Sequence, residues 1–227
     1  MPAALLLPVK DLRNAKQRLV PTLSPSERLG LAGAMLSDTV RAICGSRGAD
    51  AIFVVTNYEP MIKLAKANSW KVLREENQIS ESASVDAASR CCEEQGFSRV
   101  LRIPLDLPLL RASDIDELLS ANCESPAALI VPSRDGTGTN ALLRTPPTLF
   151  RSYFGDGSFA KHCAEVRRVN AQLIVRRNAR LEMDVDDEAD LRALVQHDLS
   201  GTTTGLWLEQ SGVLARLHEP TVRAAAR

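Results

Sequence analysis

The chain has 227 residues, 44% of them hydrophobic, and its 28 lysines and arginines balance 28 aspartates and glutamates. This neutral balance argues against a broad positive field for nucleic acid or an anionic membrane, so an anionic ligand must be bound by a local cluster of charges. The apolar stretch at residues 3–8 is far shorter than the roughly 20 residues of a membrane span, and no basic segment precedes it. Five cysteines without a C-x-x-C spacing predict neither a disulfide framework nor a zinc site, and they favour a cytoplasmic location.

Predicted strands and helices alternate along the chain. The apolar run at 3–9 predicts a buried strand, and Ser24-Pro25-Ser26-Glu27 predicts the capped start of a helix that ends near Gly45. The later predicted elements are strands at 51–56, 72–73, 99–104, 127–132 and 140–144 and helices at 60–68, 84–96, 113–121, 158–166 and 187–196. This order predicts a single α/β domain over 1–200, with a mainly parallel sheet flanked by helices on both faces. Residues 201–227 are predicted to form a C-terminal extension of unknown role.

A basic loop follows the first predicted strand. It places Lys10, Arg13, Lys16 and Arg18 within nine residues at the carboxyl end of a strand, where ligands bind in such folds. Lysine and arginine bind phosphate oxygens and stabilise the charge on a leaving pyrophosphate, although the cluster could also be a solvated charged turn. The chain has neither G-x-x-x-x-G-K-[ST] nor G-x-G-x-x-G, which argues against P-loop kinases and dinucleotide-binding domains.

Acidic residues at two distant places could form a metal site. Asp106 follows an apolar strand and lies between two prolines, where a carboxylate is costly unless a cation such as Mg²⁺ neutralises it. Alternation puts Asp184 and Asp186 on one side of an extended segment, so they could complete that site. The alternatives are that Asp106 caps the next element and that the acids near residues 184–186 only interact favourably with the dipole of the helix that follows.

Two loops rich in small residues lie between these acids, at 134–140 and 154–159. Ser158 begins a predicted helix, whose free N–H groups could bind phosphate or carboxylate; the alternative is two plain turns. The three histidines, His162, His197 and His218, are scattered and form no catalytic order with serine or cysteine. We therefore interpret them as structural or surface residues.

Several motifs in order resemble one known family. They are Pro-Val-Lys-x-Leu-x-x-Ala-Lys-x-Arg-Leu, Leu-Asp-Leu-Pro-Leu-Leu, Asp-Gly-Thr-Gly-Thr-Asn, Phe-Gly-x-Gly-Ser and Asp-Val-Asp, and the match spans about residues 5–195. The chain resembles the CofC/FbiD guanylyltransferases of coenzyme F420 biosynthesis. This resemblance implies a single-domain nucleotidyltransferase fold of the glycosyltransferase-A-like, Rossmann-like kind. It also implies that GTP and a phosphorylated three-carbon acid give a guanylyl-diphospho-acid and pyrophosphate. The acid is 2-phospho-L-lactate, phosphoenolpyruvate or 3-phospho-D-glycerate, and the choice stays open.

The resemblance also implies residues for the nucleotide side of the reaction. Lys10, Lys16 and Arg18 are expected to bind the GTP phosphates. Many relatives have a Leu-Asn pair at the start of the helix before the aspartate strand, where this chain reads Glu-Ser-Ala-Ser-Val-Asp. Ser84 and Asp86 are therefore expected to replace the asparagine's hydrogen bonds to base or ribose.

The resemblance also implies which residues bind the metal and the acceptor acid. The resemblance implies Mg²⁺ bound by Asp106 and by one of Asp184 and Asp186, of which Asp186 is the first choice. The residues expected to hold the phosphate and carboxylate of the acceptor are Thr139, Asn140, Gly155 and Ser158. An acceptor phosphate oxygen would attack the α-phosphorus in line, so no protein nucleophile is required.

The expected partners are GTP, a small phosphorylated acid and the next enzyme of F420 biosynthesis, without nucleic acid or membrane; homo-oligomerisation stays open. Two alternatives remain at this point. One is a related nucleotidyltransferase acting on a sugar phosphate or the molybdenum cofactor, although these usually open with a glycine-rich loop that this chain lacks. The other is a non-catalytic nucleotide-binding module that uses residues 206–217 for assembly.

Overall fold

Strands and helices alternate through the part of the chain that this computed structural model describes, residues 1–75 and 79–218. The strands are β1 (Ala3–Pro8), β2 (Ala51–Val55), β3 (Lys71–Leu73), β4 (Arg99–Arg102), β5 (Ala127–Pro132), β6 (Thr139–Thr145) and β7 (Gln172–Val175). The helices are α1 (Pro25–Gly45), α2 (Glu59–Ala67), α3 (Glu81–Glu94), α4 (Ala112–Ser120), α5 (Ser158–Arg168), α6 (Glu188–Leu194), α7 (Thr203–Gln210) and α8 (Val213–His218). Two short 3-10 turns, Leu12–Asn14 and Gln17–Leu19, lie in the basic loop.

The seven strands form one sheet in the order β3-β2-β1-β4-β6-β5-β7. Strands β1 to β4 pair in parallel, β6 runs antiparallel to both of its neighbours, and β7 is parallel to β5. The predicted mainly parallel α/β fold is therefore confirmed. The carboxyl ends of β1 and β4 meet at the centre of the sheet, so the basic loop and the Asp106 loop are neighbours.

Helices cover both faces of the sheet because the apolar residues of the strands point both ways. In β1, Leu5 and Leu7 pack with α1, α2 and α4, whereas Ala4 and Leu6 pack with α3 on the other face. Apolar residues of β5 and β6 contact α5 on this second face. These layers bury the strands and leave their ends to form the site.

The differences from the sequence prediction include the starts of α3 and α4 and the whole of β7. Helix α3 begins at Glu81 rather than residue 84, because Ser80 accepts the Ala83 N–H and is the N-cap. Helix α4 begins at Ala112 rather than with a Ser113 cap, because the Asp114 carboxylate accepts the Arg111 N–H. Strand β7 was not predicted, since its four residues carry little pattern and gain their place from pairing with β5. The predicted capping box at the start of α1 is confirmed.

The described part of the C-terminal extension packs against α1. The Asp38 carboxylate accepts the N–H groups of Thr203 and Thr204, at 2.6 and 2.8 Å, and thereby caps α7. A Cβ on Gly30 would lie 2.4 Å from the Trp207 ring, so the two helices approach closely only because residue 30 is glycine. The boundary at residue 200 stays a prediction, and the Ala/Arg-rich end lies outside the described residues. None of the described helices has the length and apolar character needed to cross a membrane.

Candidate active site

Two clefts open at the carboxyl ends of the central strands and meet at one wall. The first cleft, about 300 Å³, lies between the basic loop, α1 and the start of α3. The second cleft, about 540 Å³, lies between the 133–140 loop, the 154–156 loop and the segment 184–190. Both clefts are lined by Glu81, Arg102, Pro104 and Asp106. Two ligands bound in these clefts would therefore lie on either side of Asp106.

Lys16 lies at the junction of the two clefts. Its ammonium group donates to Asp106 Oδ2 at 2.7 Å and to Asp186 Oδ1 at 3.0 Å, and its side chain is 8% exposed. The backbone of Lys16 is left-handed, with a φ of 55°, which is unusual for a residue with a side chain. This conformation lets a loop residue reach inward between two carboxylates.

The charges at this junction stabilise one another. Burial alone would lower the pKa of Lys16, but the carboxylates of Asp106 and Asp186 hold the pKa well above its ordinary value. Burial alone would raise the pKa of Asp106, but the Lys16 charge lowers it below its usual range. At neutral pH the junction therefore holds the Lys16 ammonium group beside the ionised carboxylate of Asp106.

Asp184 lies beside the same group of charges. Burial raises the pKa of Asp184 to about 6; the Asn140 hydrogen bond opposes the rise and the negative charges of Asp106 and Asp186 add to it. Asp184 and Asp186 both line the second cleft, whereas Val185 between them is buried in the core, as the predicted alternation requires. Distant parts of the chain thus bring three carboxylates to one place.

The chemistry of these donors fits Mg²⁺, which prefers oxygen ligands and commonly takes one or two carboxylates plus substrate phosphates. Burial raises the pKa of Asp184, and the negative charges of Asp106 and Asp186 add to that rise, so a cation bound beside Asp184 would favour its ionised form. Within residues 1–75 and 79–218, however, no three acidic, histidine or cysteine side chains are arranged to hold a metal by themselves. A metal here would need oxygen atoms from a bound ligand.

The predicted nucleotide residues separate into two groups. Lys10, Lys16 and Ser84 line the first cleft, and Arg18 lines the second, where it lies 3.5 Å from the exposed Asp156 carboxylate. Asp86 is not brought to either cleft: its carboxylate pairs with the buried Arg144 and accepts the N–H and hydroxyl of Ser152. Asp86 is thus part of a buried network that joins α3 to β6.

Three of the four predicted acceptor residues, Thr139, Asn140 and Gly155, line the second cleft. Gly155 has a φ of 108°, which a residue with a side chain would adopt only with strain. Asn140 uses both amide hydrogens inside the protein, on the carbonyl of Leu181 and on Asp184 Oδ1, so its side chain orients Asp184 rather than donating to a ligand.

The fourth predicted acceptor residue, Ser158, is buried and lies behind the cleft. Its N–H donates to the carbonyl of Gly155 at 3.0 Å, and the next N–H, of Phe159, donates to the carbonyl of Thr137 at 3.1 Å. These two N–H groups are therefore not free to bind an anion, contrary to the expectation from the sequence. They join the start of α5 to the two loops of the cleft.

Arg102, which no sequence motif singled out, lines both clefts and forms the wall between them. This buried guanidinium pairs with Glu81, donates to the carbonyl of Thr139 at 3.1 Å and stacks 4.1 Å from the Phe154 ring. Its Nε has no hydrogen-bond partner among the described residues. The sequence feature that could have indicated Arg102 is the presence of a charged residue within a buried strand. His162 gave no such signal, because its contact with Thr139 joins residues 23 positions apart in the chain.

Solved structures share this arrangement of strands and helices. A protein from Desulfovibrio desulfuricans, described as a nucleotide-diphospho-sugar transferase, aligns over 95% of this chain and 98% of its own, with a TM-score of 0.76 at 18% identity. A nucleotidyl transferase from Methanothermobacter thermautotrophicus aligns over 92% and 99%, with a TM-score of 0.59 at 14% identity. The fold is that of the nucleotidyltransferases, and the charged junction of the two clefts lies where that fold binds ligands, at the carboxyl ends of its strands.

The sequence then identifies the family. The family described as "Guanylyl transferase CofC like" matches residues 3–223, and the chain belongs to it. Among its relatives are a 2-phospho-L-lactate guanylyltransferase of Methanothermobacter thermautotrophicus (34% identical; 87% of this chain and 86% of the relative) and a phosphoenolpyruvate guanylyltransferase of Rubrobacter xylanophilus (34%; 83% and 91%). A 3-phospho-D-glycerate guanylyltransferase of Phenylobacterium zucineum is also 34% identical (83% and 87%). These three relatives are named for different acceptor acids, and the chain is equally identical to all three, so sequence identity does not indicate which acid this chain uses.

Proposed function

We propose that this chain catalyses transfer of GMP from GTP to a phosphorylated three-carbon acid, with release of pyrophosphate. The observation that carries the proposal is the Lys16 ammonium group, which bridges Asp106 and Asp186 where the two clefts meet. Lys16 lines the first cleft and Asp186 lines the second, so this ion pair lies between two adjacent binding clefts, as a transfer between two substrates requires. Membership of the guanylyl transferase family supports the nucleotide, and the three named relatives support the class of acceptor.

The first cleft is the proposed GTP site. Lys10 and Lys16 supply positive charge along its floor, and Arg18 extends this charge toward the second cleft. Ser84, at the other side of the first cleft, donates its hydroxyl hydrogen to the Ser80 carbonyl at 2.9 Å, so only its oxygen is left to accept a hydrogen bond from the ribose or base. Asp86 is left out of this site because its carboxylate is bound by Arg144 and Ser152. The phosphates would thus lie at the Lys16 end, beside the Asp106 wall.

The second cleft is the proposed acceptor site. Thr139 and the backbone around Gly155 line it, and the Arg102 guanidinium supplies a buried positive charge at its wall. These groups suit a ligand that carries both a phosphate and a carboxylate. Ser158 contributes by holding the Gly155 turn and not by contacting the ligand.

Asp106 and Asp186 are the proposed Mg²⁺ ligands, with Asp184 close behind them. When bound, Mg²⁺ would neutralise the phosphate charge and polarise the α-phosphoryl group. The acceptor phosphate oxygen forms a bond to the α-phosphorus, the bond from that phosphorus to the bridging oxygen breaks, and pyrophosphate leaves with the electron pair. The attacking oxygen is already anionic, so the chain needs no general base; Lys16 and Arg18 stabilise the charge of the leaving group.

The test is pyrophosphate release by the purified full-length chain with Mg²⁺ and GTP. Each of 3-phospho-D-glycerate, phosphoenolpyruvate and 2-phospho-L-lactate is offered separately, and the product is coupled to the next enzyme of F420 biosynthesis. Release with one acid identifies the acceptor. Silence with all three from a folded protein rejects the proposal in favour of another acceptor or a non-catalytic module.

Two variants make this assay specific. Asp106→Asn should reduce turnover to near zero with the fold intact, because the amide cannot balance Lys16 or bind a cation. Asp50→Asn is the matched control: its carboxylate accepts the Ala3 N–H at the opposite end of β1. Full activity in Asp106→Asn would contradict the site. We also place the reaction in the reducing cytoplasm, since all five cysteines are free thiols.

A further inference from the structure

A buried histidine lies behind the second cleft without lining it. His162, on α5, is fully buried, and its ring packs edge-on against Phe154 at 5.0 Å between centroids. Nε2 of the ring lies 2.9 Å from the backbone nitrogen of Tyr153, and Nδ1 lies 3.0 Å from the hydroxyl oxygen of Thr139. The imidazole therefore connects the 151–157 loop to a residue of the cleft wall.

The direction of both hydrogen bonds follows from chemistry. The backbone N–H of Tyr153 can only donate, so Nε2 must accept and carries no proton. The proton of the neutral ring is then on Nδ1, which donates to the Thr139 oxygen. Burial lowers the pKa of His162 to about 3, helped by the charges of Arg144 and Arg102, so the ring is neutral at physiological pH.

The Thr139 hydroxyl is thereby left with one hydrogen to donate. No described residue accepts that hydrogen, and Thr139 lines the second cleft. Its backbone carbonyl is fixed as well, because Arg102 donates to it at 3.1 Å. Thr139 is thus held from two sides, with its remaining donor available to a ligand in the cleft.

We propose that His162 is a positioning residue that fixes the Thr139 hydroxyl as a hydrogen-bond donor to an anionic oxygen of the acceptor acid. This inference rests on the proposed function, since it assigns the second cleft to a phosphorylated carboxylic acid. His162 itself touches no ligand. Its effect is on which atom of Thr139 faces the ligand: the Nδ1–H group occupies a lone pair of the Thr139 oxygen and so directs the hydroxyl hydrogen away from the ring and toward the cleft, and without this donor the hydroxyl is free to rotate.

Steady-state kinetics with GTP and the accepted acid test this assignment. Thr139→Val and His162→Phe should each lower kcat/KM for the acid by about 10- to 100-fold, the usual worth of a hydrogen bond to a charged group, and leave KM for GTP unchanged. Thr139→Ser and His162→Gln should keep most of the activity, because serine retains the hydroxyl and glutamine can both accept from Tyr153 and donate to Thr139. Thr145→Val is the matched control, since Thr145 is a buried threonine at the other end of β6.

The double variant separates positioning from a merely structural role. If His162 acts through Thr139, the pair Thr139→Val and His162→Phe loses no more acceptor kcat/KM than the worse single variant. Losses that multiply, or a folded His162→Phe enzyme with unchanged acceptor kcat/KM, would overturn the inference.

The wild-type protein offers an independent readout. The chain has three histidines, so nitrogen NMR of labelled imidazole can resolve the ring of His162. The expected signal is the Nδ1–H tautomer, with a shift that changes when the acid is added and not when GTP alone is added. An Nε2–H tautomer overturns the inference whether or not turnover is observed. Absence of turnover with all three acids, in contrast, rejects the proposed function.

Discussion

Lys16 Nζ lies 2.7 Å from Asp106 Oδ2, so a loop after the first strand and a loop after the fourth share one buried charge pair. Ninety residues separate the two in sequence, and only the adjacency of β1 and β4 in the sheet joins them. Asp186 completes the group from a third part of the chain. The reactive centre of the proposed transfer is therefore made by the sheet order rather than by any one motif.

Replacing Lys16 tests this pair. Lys16→Met should lower kcat/KM for GTP by about 100-fold or more, because it removes a preorganised charge at the proposed leaving group. Arg13→Met, in the same loop, is the matched control, since Arg13 is exposed and bound to Asp11. Pyrophosphate release measures both, and circular dichroism confirms folding. Equal losses in the two variants would show that only the total charge of the loop matters.

The two later aspartates should differ in their effect on metal dependence. Asp186→Asn should raise the Mg²⁺ concentration for half-maximal turnover by about tenfold or more, because Asp186 shares Lys16 with Asp106 and its side chain is more exposed than that of Asp106. Asp184→Asn should raise it less, since Asn140 already binds that carboxylate. Mg²⁺ titrations of pyrophosphate release measure the difference. The reverse order would move the metal role to Asp184.

The neutral His162 makes stability depend on pH. Its pKa falls from about 6.5 in the unfolded chain to about 3 in the folded protein, so below pH 6.5 the unfolded state binds the proton more readily. The buried neutral ring of His162 therefore contributes fully to the unfolding free energy above pH 6.5, and this contribution is lost as the pH falls from 6.5 toward 3. Relative to His162→Gln, the wild type should lose up to about 1.4 kcal/mol of unfolding free energy per pH unit in this window. Urea denaturation at several pH values measures it, and parallel curves would contradict the assignment.

The C-terminal helices should contribute to the stability of the whole domain. Asp38→Ala removes the acceptor that caps α7 and should lower the unfolding free energy by about 2 kcal/mol, or the melting temperature by about 4–8 °C. Asp198→Ala is the control, because the hydrogen bonds of that exposed carboxylate are local ones with Ser200. A thermal melt of each variant suffices. No change in Asp38→Ala would indicate that residues 203–218 are a separable appendage.

Features that depend on residues close together in the chain could be predicted before the fold was known. The alternation of apolar strands and helices predicted the mainly parallel sheet, and Ser24 with Glu27 predicted the start of α1. The order of the motifs predicted the family, because each motif is a short run whose spacing the sequence displays. These signals are local, so they can be recognised without knowing which elements lie side by side.

Which polar groups can bind a ligand depends on contacts between distant parts of the chain, so the sequence did not predict it. The sequence predicted that Asp86 and the N–H group of Ser158 bind ligands. In the structure the Asp86 carboxylate pairs with Arg144, and the Ser158 N–H donates to the carbonyl of Gly155. His162 carried no signal at all until Thr139 and Tyr153 were placed at its two ring nitrogens. A buried polar group must find a hydrogen-bond partner, and that partner is chosen by packing between residues far apart in the chain. The sequence therefore shows which polar groups are present, and the fold determines which of them form hydrogen bonds with one another.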